Sequence, residues 1–137
     1  MCTYLRDTEL DVQIAEHDIE VYKIVKIKHY KWYAPCMDVP YETKELSSKL
    51  GTPKKLKYDL VESNYNYHTT NVGLYSYAYK IDAVHAVSKI IGAYKDEALV
   101  VVKAIIPKNS NYYRSTVDDE IYVSDHLNLG EIIYAYL

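Results

Sequence analysis

Lysine and aromatic side chains that suit a phosphorylated ligand are concentrated in one stretch near the start of the chain. In this stretch lysines alternate with rings: Lys23, Lys26, Lys28 and Lys31 with Tyr22, Tyr30, Trp32 and Tyr33. A second group of lysines follows: Lys49, Lys54, Lys55 and Lys57. Ammonium groups contact phosphate oxygens and flat rings stack on bases, so the first stretch suggests phosphate contacts combined with stacking. Charged runs also commonly form a solvated face, and the sequence leaves both interpretations open.

Histidine and cysteine provide few further candidates for chemistry. His68 lies in a polar stretch that we predict to be a loop, and it is a candidate ligand contact. The five His and two Cys do not approach the spacing of metal ligands, so we expect no metal site. Cys36 follows a proline and has no adjacent histidine to activate its thiol. The chain also lacks a Gly-x-Gly-x-x-Gly or Gly-Lys-Ser phosphate loop and a His-Glu-x-x-His motif, and we predict no cofactor.

Tyrosine dominates the aromatic composition, with 17 Tyr, one Trp and no Phe. A buried phenol needs a hydrogen-bond partner, so these rings either line a polar pocket or interface or lie half-buried in strands. The net charge of −3 argues against binding of long nucleic acids, although local basic patches can still attract a small anion.

The length of 137 residues predicts a single domain, residues 1–137. No apolar run approaches the roughly 20 residues that cross a bilayer, so we expect no membrane segment. The first residues lack the basic-then-apolar order of a secretion signal, and two cysteines cannot build a disulfide framework. These observations predict a cytoplasmic location.

The elements that must position the candidate residues follow from apolar periodicity. Alternating and β-branched runs predict strands over residues 19–27, 29–34, 72–79, 97–106, 121–123 and 129–136, the second pairing back on the first as a hairpin. Helical spacing predicts one main helix over residues 80–94 and a short helix over residues 42–50. The remainder of residues 36–71 is predicted to be a long loop with a short strand near residues 58–61. The fold class is therefore α+β, with a mixed, mainly antiparallel twisted sheet and one main helix.

The order of these elements resembles the ADP-ribosyltransferase superfamily. The strand with Val21-Tyr22-Lys23 precedes a long irregular section, then Gly73-Leu74-Tyr75-Ser76-Tyr77 leads into a helix, and a later strand ends in Ile106-Pro107-Lys108-Asn109-Ser110. The transferases show an Arg or His on the first strand, a serine strand before a helix, and a Pro-Lys-Gly-Ser-like turn. The chain is also similar to small uncharacterised proteins of gut bacteria and their phages, which share the Tyr-Lys start, a Gly-x-x-Ser strand and an Ile-Ile-Pro-Lys turn.

The resemblance implies roles for individual residues. Lys23 falls where the transferases place Arg, with Tyr22 before it, and Ser76 matches the strand serine, flanked by Tyr75 and Tyr77. The catalytic Glu-x-Glu should follow the Pro107 turn, and neither Asp118-Asp119-Glu120 nor Ser124-Asp125-His126 reproduces it. In the family this glutamate stabilises an oxocarbenium-like transition state, and lysine lacks the planar fork of guanidinium. The resemblance therefore implies a fold that can bind a nucleotide without transferring any part of it.

Three functional hypotheses follow. The first is non-catalytic binding or sequestration of a small nucleotide, either of the ADP-ribose type or a cyclic nucleotide signal, for instance by a phage anti-defence protein in the host cytoplasm. Its ligand-binding residues would be Tyr22, Lys23, His68, Tyr75, Ser76, Tyr77 and Arg114, with rings stacking on the base and cations meeting phosphate.

The second hypothesis is a mono-ADP-ribosyltransferase that uses NAD with Glu120 or Asp125 as the acid. The third is a structural or inhibitory protein whose surface tyrosines contact a host protein. A homo-oligomer is compatible with each hypothesis, because a second copy would complete a pocket that a long polar loop leaves open.

Overall fold

A computed structural model describes residues 4–6, 12–35, 39–50, 54–57, 66–69, 73–91, 97–115 and 120–135 of the chain. The elements in these residues are, in chain order, β1 (Tyr4–Arg6), β2 (Gln13–Ile14), β3 (Ile19–Lys28), β4 (Lys31–Tyr33), β5 (Glu45–Ser47), β6 (Lys54–Lys57), β7 (Asn66–Thr69), β8 (Leu74–Tyr77), α1 (Lys80–Ile90), β9 (Ala98–Ile106), β10 (Asn111–Ser115), β11 (Ile121–Ser124) and β12 (His126–Ala135).

The strands form two sheets. The main sheet has the order β2-β10-β11-β8-β3-β9-β12-β5, with β4 also paired to β3, and the small sheet has the order β1-β7-β6. Every ladder between described strands is antiparallel. The predicted α+β class, with a mainly antiparallel sheet and one main helix, is confirmed.

β3 and β9 form the centre of the main sheet. They pair at nine positions, from Ile19 opposite Ile106 to Ile27 opposite Ala98. β9 is buried on both faces, because Leu99 and Val101 pack beneath the helix while Val100 and Val102 pack on the reverse side. A strand covered on both faces carries a continuous apolar run, which is why its position was predictable from the sequence.

The two faces of the main sheet carry different cores. We call the side against which α1 packs the helix face; there Ala83, Ala86 and Val87 of the helix contact Ile24 and Tyr77 of the strands. We call the other side the reverse face, and its core contains Val21, Val25, Val100, Val102, Leu127 and Leu129. Because side chains alternate along a strand, neighbours in sequence on β3 belong to different cores.

Helix α1 begins and ends with suitable charges. Asp82 lies in its first turn and Lys89 in its last, where each charge complements the helix dipole. The helix was predicted over residues 80–94; its described part ends at Ile90, and residues 92–96 lie outside the described residues. Among the residues described, no helix is both long and apolar enough to cross a membrane.

The helix predicted over residues 42–50 is wrong. Glu45–Ser47 instead forms β5, and Leu46 is buried opposite Leu127 of β12. The backbone of this segment bonds outward, since the Leu129 N–H donates to the Lys44 carbonyl at 2.7 Å and the Ser48 N–H to the Asp125 carbonyl at 2.8 Å. An available strand edge therefore overrides the local helix propensity of the segment.

Two further predictions in the long polar section need correction or fall outside the structure. His68 was predicted in a loop, but it lies on β7, whose pairing with β1 and β6 gives its backbone two strand partners. Three lysines of the second basic group likewise lie on a strand, β6. The short strand predicted near residues 58–61 lies outside the described residues.

Gly130 allows β12 to approach β9 closely, next to a shift in their register. A Cβ at position 130 would lie 2.7 Å from the carbonyl oxygen of Lys103, which belongs to a central strand and cannot move aside. We predict that Gly130→Ala lowers the free energy of unfolding by about 1–3 kcal/mol, measured by urea denaturation.

The matched control is Glu131→Ala, which changes the exposed neighbouring residue and should alter the free energy of unfolding by no more than about 0.5 kcal/mol. Equal stability of Gly130→Ala and the wild type would contradict this close approach of the two strands.

Candidate functional site

The two halves of the main sheet meet where β3 lies beside β8. In the described part of the chain these strands pair at a single position, Tyr22 opposite Tyr77. Next to this pair the Lys23 ammonium donates a hydrogen bond of 2.6 Å to the backbone carbonyl of Tyr75. Lys23 is only 8% exposed. A buried side chain, and not a backbone N–H of β3, therefore donates to the Tyr75 carbonyl.

Four polar or aromatic side chains form a row across the reverse face at this junction. Ser76 is opposite Tyr122, and Tyr122 is opposite Arg114. Lys23 extends the same row. It follows Tyr22 on β3, and Ser76 precedes Tyr77 on β8, so in this antiparallel pair the two residues are neighbours on the reverse face. We call Lys23, Ser76, Tyr122 and Arg114 the transverse row; four adjacent strands place its ends about 14 Å apart.

The Arg114 end of the row is open to solvent and ordered by its neighbours. The Arg114 side chain is 44% exposed and forms an ion pair with Glu120. Its guanidinium carbon lies 5.7 Å from the centre of the Tyr122 ring, which in turn packs against Tyr112 at 5.6 Å between ring centres. These contacts hold the guanidinium in one place while leaving part of its surface accessible.

The Ser76 side chain, next to Lys23 in the row, is buried and incompletely bonded. Ser76 is 1% exposed, and its hydroxyl has no hydrogen-bond partner among the described residues. Leaving a buried hydroxyl unsatisfied costs about 1–3 kcal/mol. Ser76 and Lys23 are neighbours across the two strands, so a hydroxyl without a described partner belongs to a residue next to a buried lysine.

The three predicted site tyrosines lie on the helix face, away from the row. Tyr77 packs beneath α1, and the Tyr22 hydroxyl donates to Glu20 Oε1 at 2.9 Å. Tyr75 packs beside Tyr113 and Val123. The structure thus places Lys23, Ser76 and Arg114 in one row on the reverse face and puts Tyr22, Tyr75 and Tyr77 on the opposite face of the sheet.

His68, a predicted site residue, lies outside the transverse row, whereas Tyr122, which was not predicted, lies within it. His68 lies in the small sheet, in register with Leu5 and Lys55. The sequence indicates only a strand at Tyr122 and no role in a site, although this residue lies between Ser76 and Arg114 in the row. Its alternation with Ile121 and Val123 indicated a strand, but only the pairing of β11 with β8 and β10 places it between Ser76 and Arg114.

Both carboxylates that a transferase mechanism would use have structural partners. Glu120 is paired with Arg114. Asp125 accepts two hydrogen bonds of 3.0 Å from Asn111, one from the backbone N–H and one from the side-chain amide, and so links the end of β11 to the start of β10. Within the described residues no group of three or more His, Cys, Asp or Glu is placed to hold a metal ion.

Burial and neighbouring groups raise the pKa of tyrosines on both faces of the main sheet. Burial raises the pKa of Tyr122 above its usual value near 10, and the Arg114 charge partly opposes this shift. Burial alone raises the pKa of Tyr113 on the helix face. The hydrogen bond to Glu20, followed by burial, raises the pKa of Tyr22.

Comparison with known proteins finds no family model, no curated protein and no solved structure that matches this chain. The function must therefore be argued from the residues themselves.

The raised pKa of Tyr122 predicts a loss of stability at alkaline pH. A phenol whose pKa is higher in the folded state stabilises the fold fully below its unfolded pKa, and this contribution disappears as pH rises through the folded value. We predict that the free energy of unfolding falls above about pH 10, and that Tyr122→Phe makes this fall shallower by up to about 1.4 kcal/mol per pH unit. The measurement is urea denaturation across pH 7 to about 11.5.

Between about pH 7 and 9 the free energies of unfolding of Tyr122→Phe and the wild type should differ by a constant amount. This constant difference reports the lost contacts of the hydroxyl, separately from its titration. If the free energy of unfolding fell equally steeply with pH in both proteins above pH 10, ionisation of Tyr122 would not be the cause of the alkaline loss of stability.

Proposed function

We propose that this chain binds a small nucleotide at the transverse row without transferring any part of it. The row has a cation at each end, Lys23 and Arg114, with the Ser76 hydroxyl and the Tyr122 ring between them. Ammonium and guanidinium groups form charge-assisted hydrogen bonds with phosphate, and a guanidinium held over a ring also offers a flat surface to a base. A row about 14 Å long suits a ligand of nucleotide size.

The observation that carries this proposal is the buried Ser76 hydroxyl without a described partner, next to the buried Lys23. A phosphate oxygen or ribose hydroxyl of a ligand would satisfy this group and recover its desolvation cost. These are also the two positions at which the resemblance to ADP-ribosyltransferases expects ligand contacts. The resemblance therefore supports a nucleotide of the ADP-ribose type or a cyclic nucleotide, held in an ADP-ribosyltransferase-like fold.

Binding is favoured over transfer by the contacts of the two candidate acids. The Glu120 carboxylate lies against Arg114, and both oxygens of Asp125 accept hydrogen bonds from Asn111. A catalytic carboxylate must reach the ribose of the substrate, and these contacts hold both groups to the protein itself. For a phage-encoded chain, binding without turnover would sequester a signalling nucleotide in the host cytoplasm.

The proposal is tested by mass spectrometry of purified protein incubated with NAD, ADP-ribose and a panel of cyclic nucleotides, then washed and heat-denatured. We expect one intact nucleotide to be released in near-stoichiometric amount, with no gain in protein mass. Free nicotinamide with an ADP-ribosyl mass increment would instead establish a transferase. Retention of none of these compounds would contradict nucleotide binding.

Variants then locate the retained nucleotide. Ser76→Ala should weaken its binding about tenfold, while the stability of the free protein stays equal or rises by about 1 kcal/mol because an unsatisfied hydroxyl is removed. Arg114→Ala should weaken binding by about tenfold or more. Both are measured by isothermal titration calorimetry, with stability measured by urea denaturation.

The matched control is Lys103→Ala. Lys103 is also a partly exposed cation paired with a glutamate, Glu20 at 3.5 Å, but it lies on the helix face. Its removal should leave nucleotide affinity unchanged. Equal losses from Lys103→Ala and Arg114→Ala would indicate a general effect of charge and would remove the row as the site.

A further inference from the structure

The hairpin that joins β3 to β4 has a strained two-residue turn. His29 and Tyr30 have φ angles of 51° and 64°, and Lys28 and Lys31 are paired on either side of them. Two positive φ values are characteristic of a type I′ turn, for which Asn-Gly is the usual sequence. A bulky aromatic residue in this left-handed region is an outlier that costs stability.

The surface of the same turn adds two further unfavourable features. Tyr30 is fully exposed, so its ring gains nothing from burial. Lys28 and Lys31 are also exposed and lie directly opposite each other, where like charges repel. Asn-Gly would make the same turn without the strain, so the folding of the hairpin does not explain these residues. Strain of this kind, kept where the fold does not need it, points to a role in binding.

The structure divides the basic stretch of residues 22–33 into two parts. Lys23 and Lys26 are buried: the Lys23 ammonium donates to the Tyr75 carbonyl, and Lys26 forms an ion pair with Glu97 at 3.7 Å. Lys28 and Lys31, with Tyr30 between them, are exposed at the end of the hairpin. We call residues 28–31 the hairpin tip. Within the basic stretch, it is the part that presents two exposed cations together with a fully exposed ring.

We infer that the hairpin tip binds a short segment of single-stranded nucleic acid, with Tyr30 stacked on a base and Lys28 and Lys31 contacting the phosphates on either side. Stacking on an exposed ring beside cations is the general mode of sequence-tolerant single-strand binding. A membrane surface would need more apolar area than one ring provides. The net charge of −3 limits the contact to a few nucleotides, since the rest of the protein repels a longer polyanion.

This inference goes beyond the nucleotide site at the transverse row. Lys28 lies five residues along β3 from Lys23, a distance of about 17 Å. The two sites are therefore separable by substitution: Arg114→Ala should leave binding at the tip unchanged, and changes at the tip should leave binding at the row unchanged.

The experiment is fluorescence anisotropy of labelled oligothymidylate and oligouridylate, each about eight nucleotides long. Two phosphate contacts predict that log K falls with log salt at a slope of about −1.4, measured between about 50 and 200 mM. Lys28→Ala/Lys31→Ala should weaken binding and bring the slope close to zero. A slope unchanged by the double substitution would overturn the assignment of the phosphate contacts to these lysines.

The most selective variant is His29→Asn/Tyr30→Gly, which removes the ring and installs the preferred turn. We expect it to weaken oligonucleotide binding about tenfold or more while raising Tm by about 3–6 °C, because strain is relieved. The control is Tyr79→Ser, which removes a tyrosine that is 55% exposed elsewhere on the surface and should leave binding unchanged.

Two results would overturn the inference. The first is no binding of either oligonucleotide by the wild type at about 50 mM salt. The second is full binding by His29→Asn/Tyr30→Gly. In the first case, binding to phosphatidylserine–phosphatidylcholine vesicles would assign the tip to a membrane surface.

Discussion

The main sheet is continuous because a buried lysine joins its two halves where the backbone ladder between β3 and β8 stops. Removing an ammonium from water costs several kcal/mol unless it is well bonded, and Lys23 meets this cost in part with a short bond to the Tyr75 carbonyl. That bond and the Tyr22–Tyr77 pair set the position of β8 relative to β3. The rest of the candidate site depends on this register, since Ser76, Tyr122 and Arg114 follow from it strand by strand. The position of β8 also fixes where α1 begins, and α1 packs against Ile24 and Val101.

The tyrosine-rich composition is accommodated in several physically distinct ways. Tyr22 and Tyr112 bury part of the ring and direct the hydroxyl to a side-chain oxygen, on Glu20 and Gln13 respectively. Tyr113 lies almost completely within the core, where burial raises its pKa. Tyr30, by contrast, is fully exposed. Half-buried strand aromatics account for many of these rings.

The lysines show the same division between structure and surface. Lys23 and Lys26 occupy the interior of β3 and bond to groups of the protein, and Lys26 also lies 5.4 Å from the centre of the Tyr33 ring. The Lys44 ammonium lies 4.4 Å from the centre of the Trp32 ring, so the segment before β5 contacts the hairpin. A basic stretch that suggests one continuous binding surface is therefore partly structural, because Lys23 and Lys26 lie within the sheet whereas Lys28 and Lys31 lie at the exposed end of its hairpin.

The sequence by itself determined the elements whose signals are local. β3, its hairpin with β4, the doubly buried β9 and most of α1 were predictable, because period-two and helical apolar patterns are properties of neighbouring residues. So was the turn after Pro107, where Asn109 adopts a φ of 74° and Ser110 donates from its backbone and its hydroxyl to the Pro107 carbonyl.

The tertiary structure alone decided which distant residues share a face. Residues 42–50 carry a helical pattern, yet Glu45–Ser47 within them form β5, because the edge of β12 offers backbone partners that a local pattern cannot reveal. Alternation along the predicted strands is enough to separate Tyr22 from Lys23, and Tyr75 and Tyr77 from Ser76. Lys23, Ser76 and Arg114 were candidates from sequence, whereas their alignment and the insertion of Tyr122 between Ser76 and Arg114 were not predictable. A shift of one residue in strand register moves every side chain to the other face, and register between strands far apart in sequence is set by packing of the whole sheet.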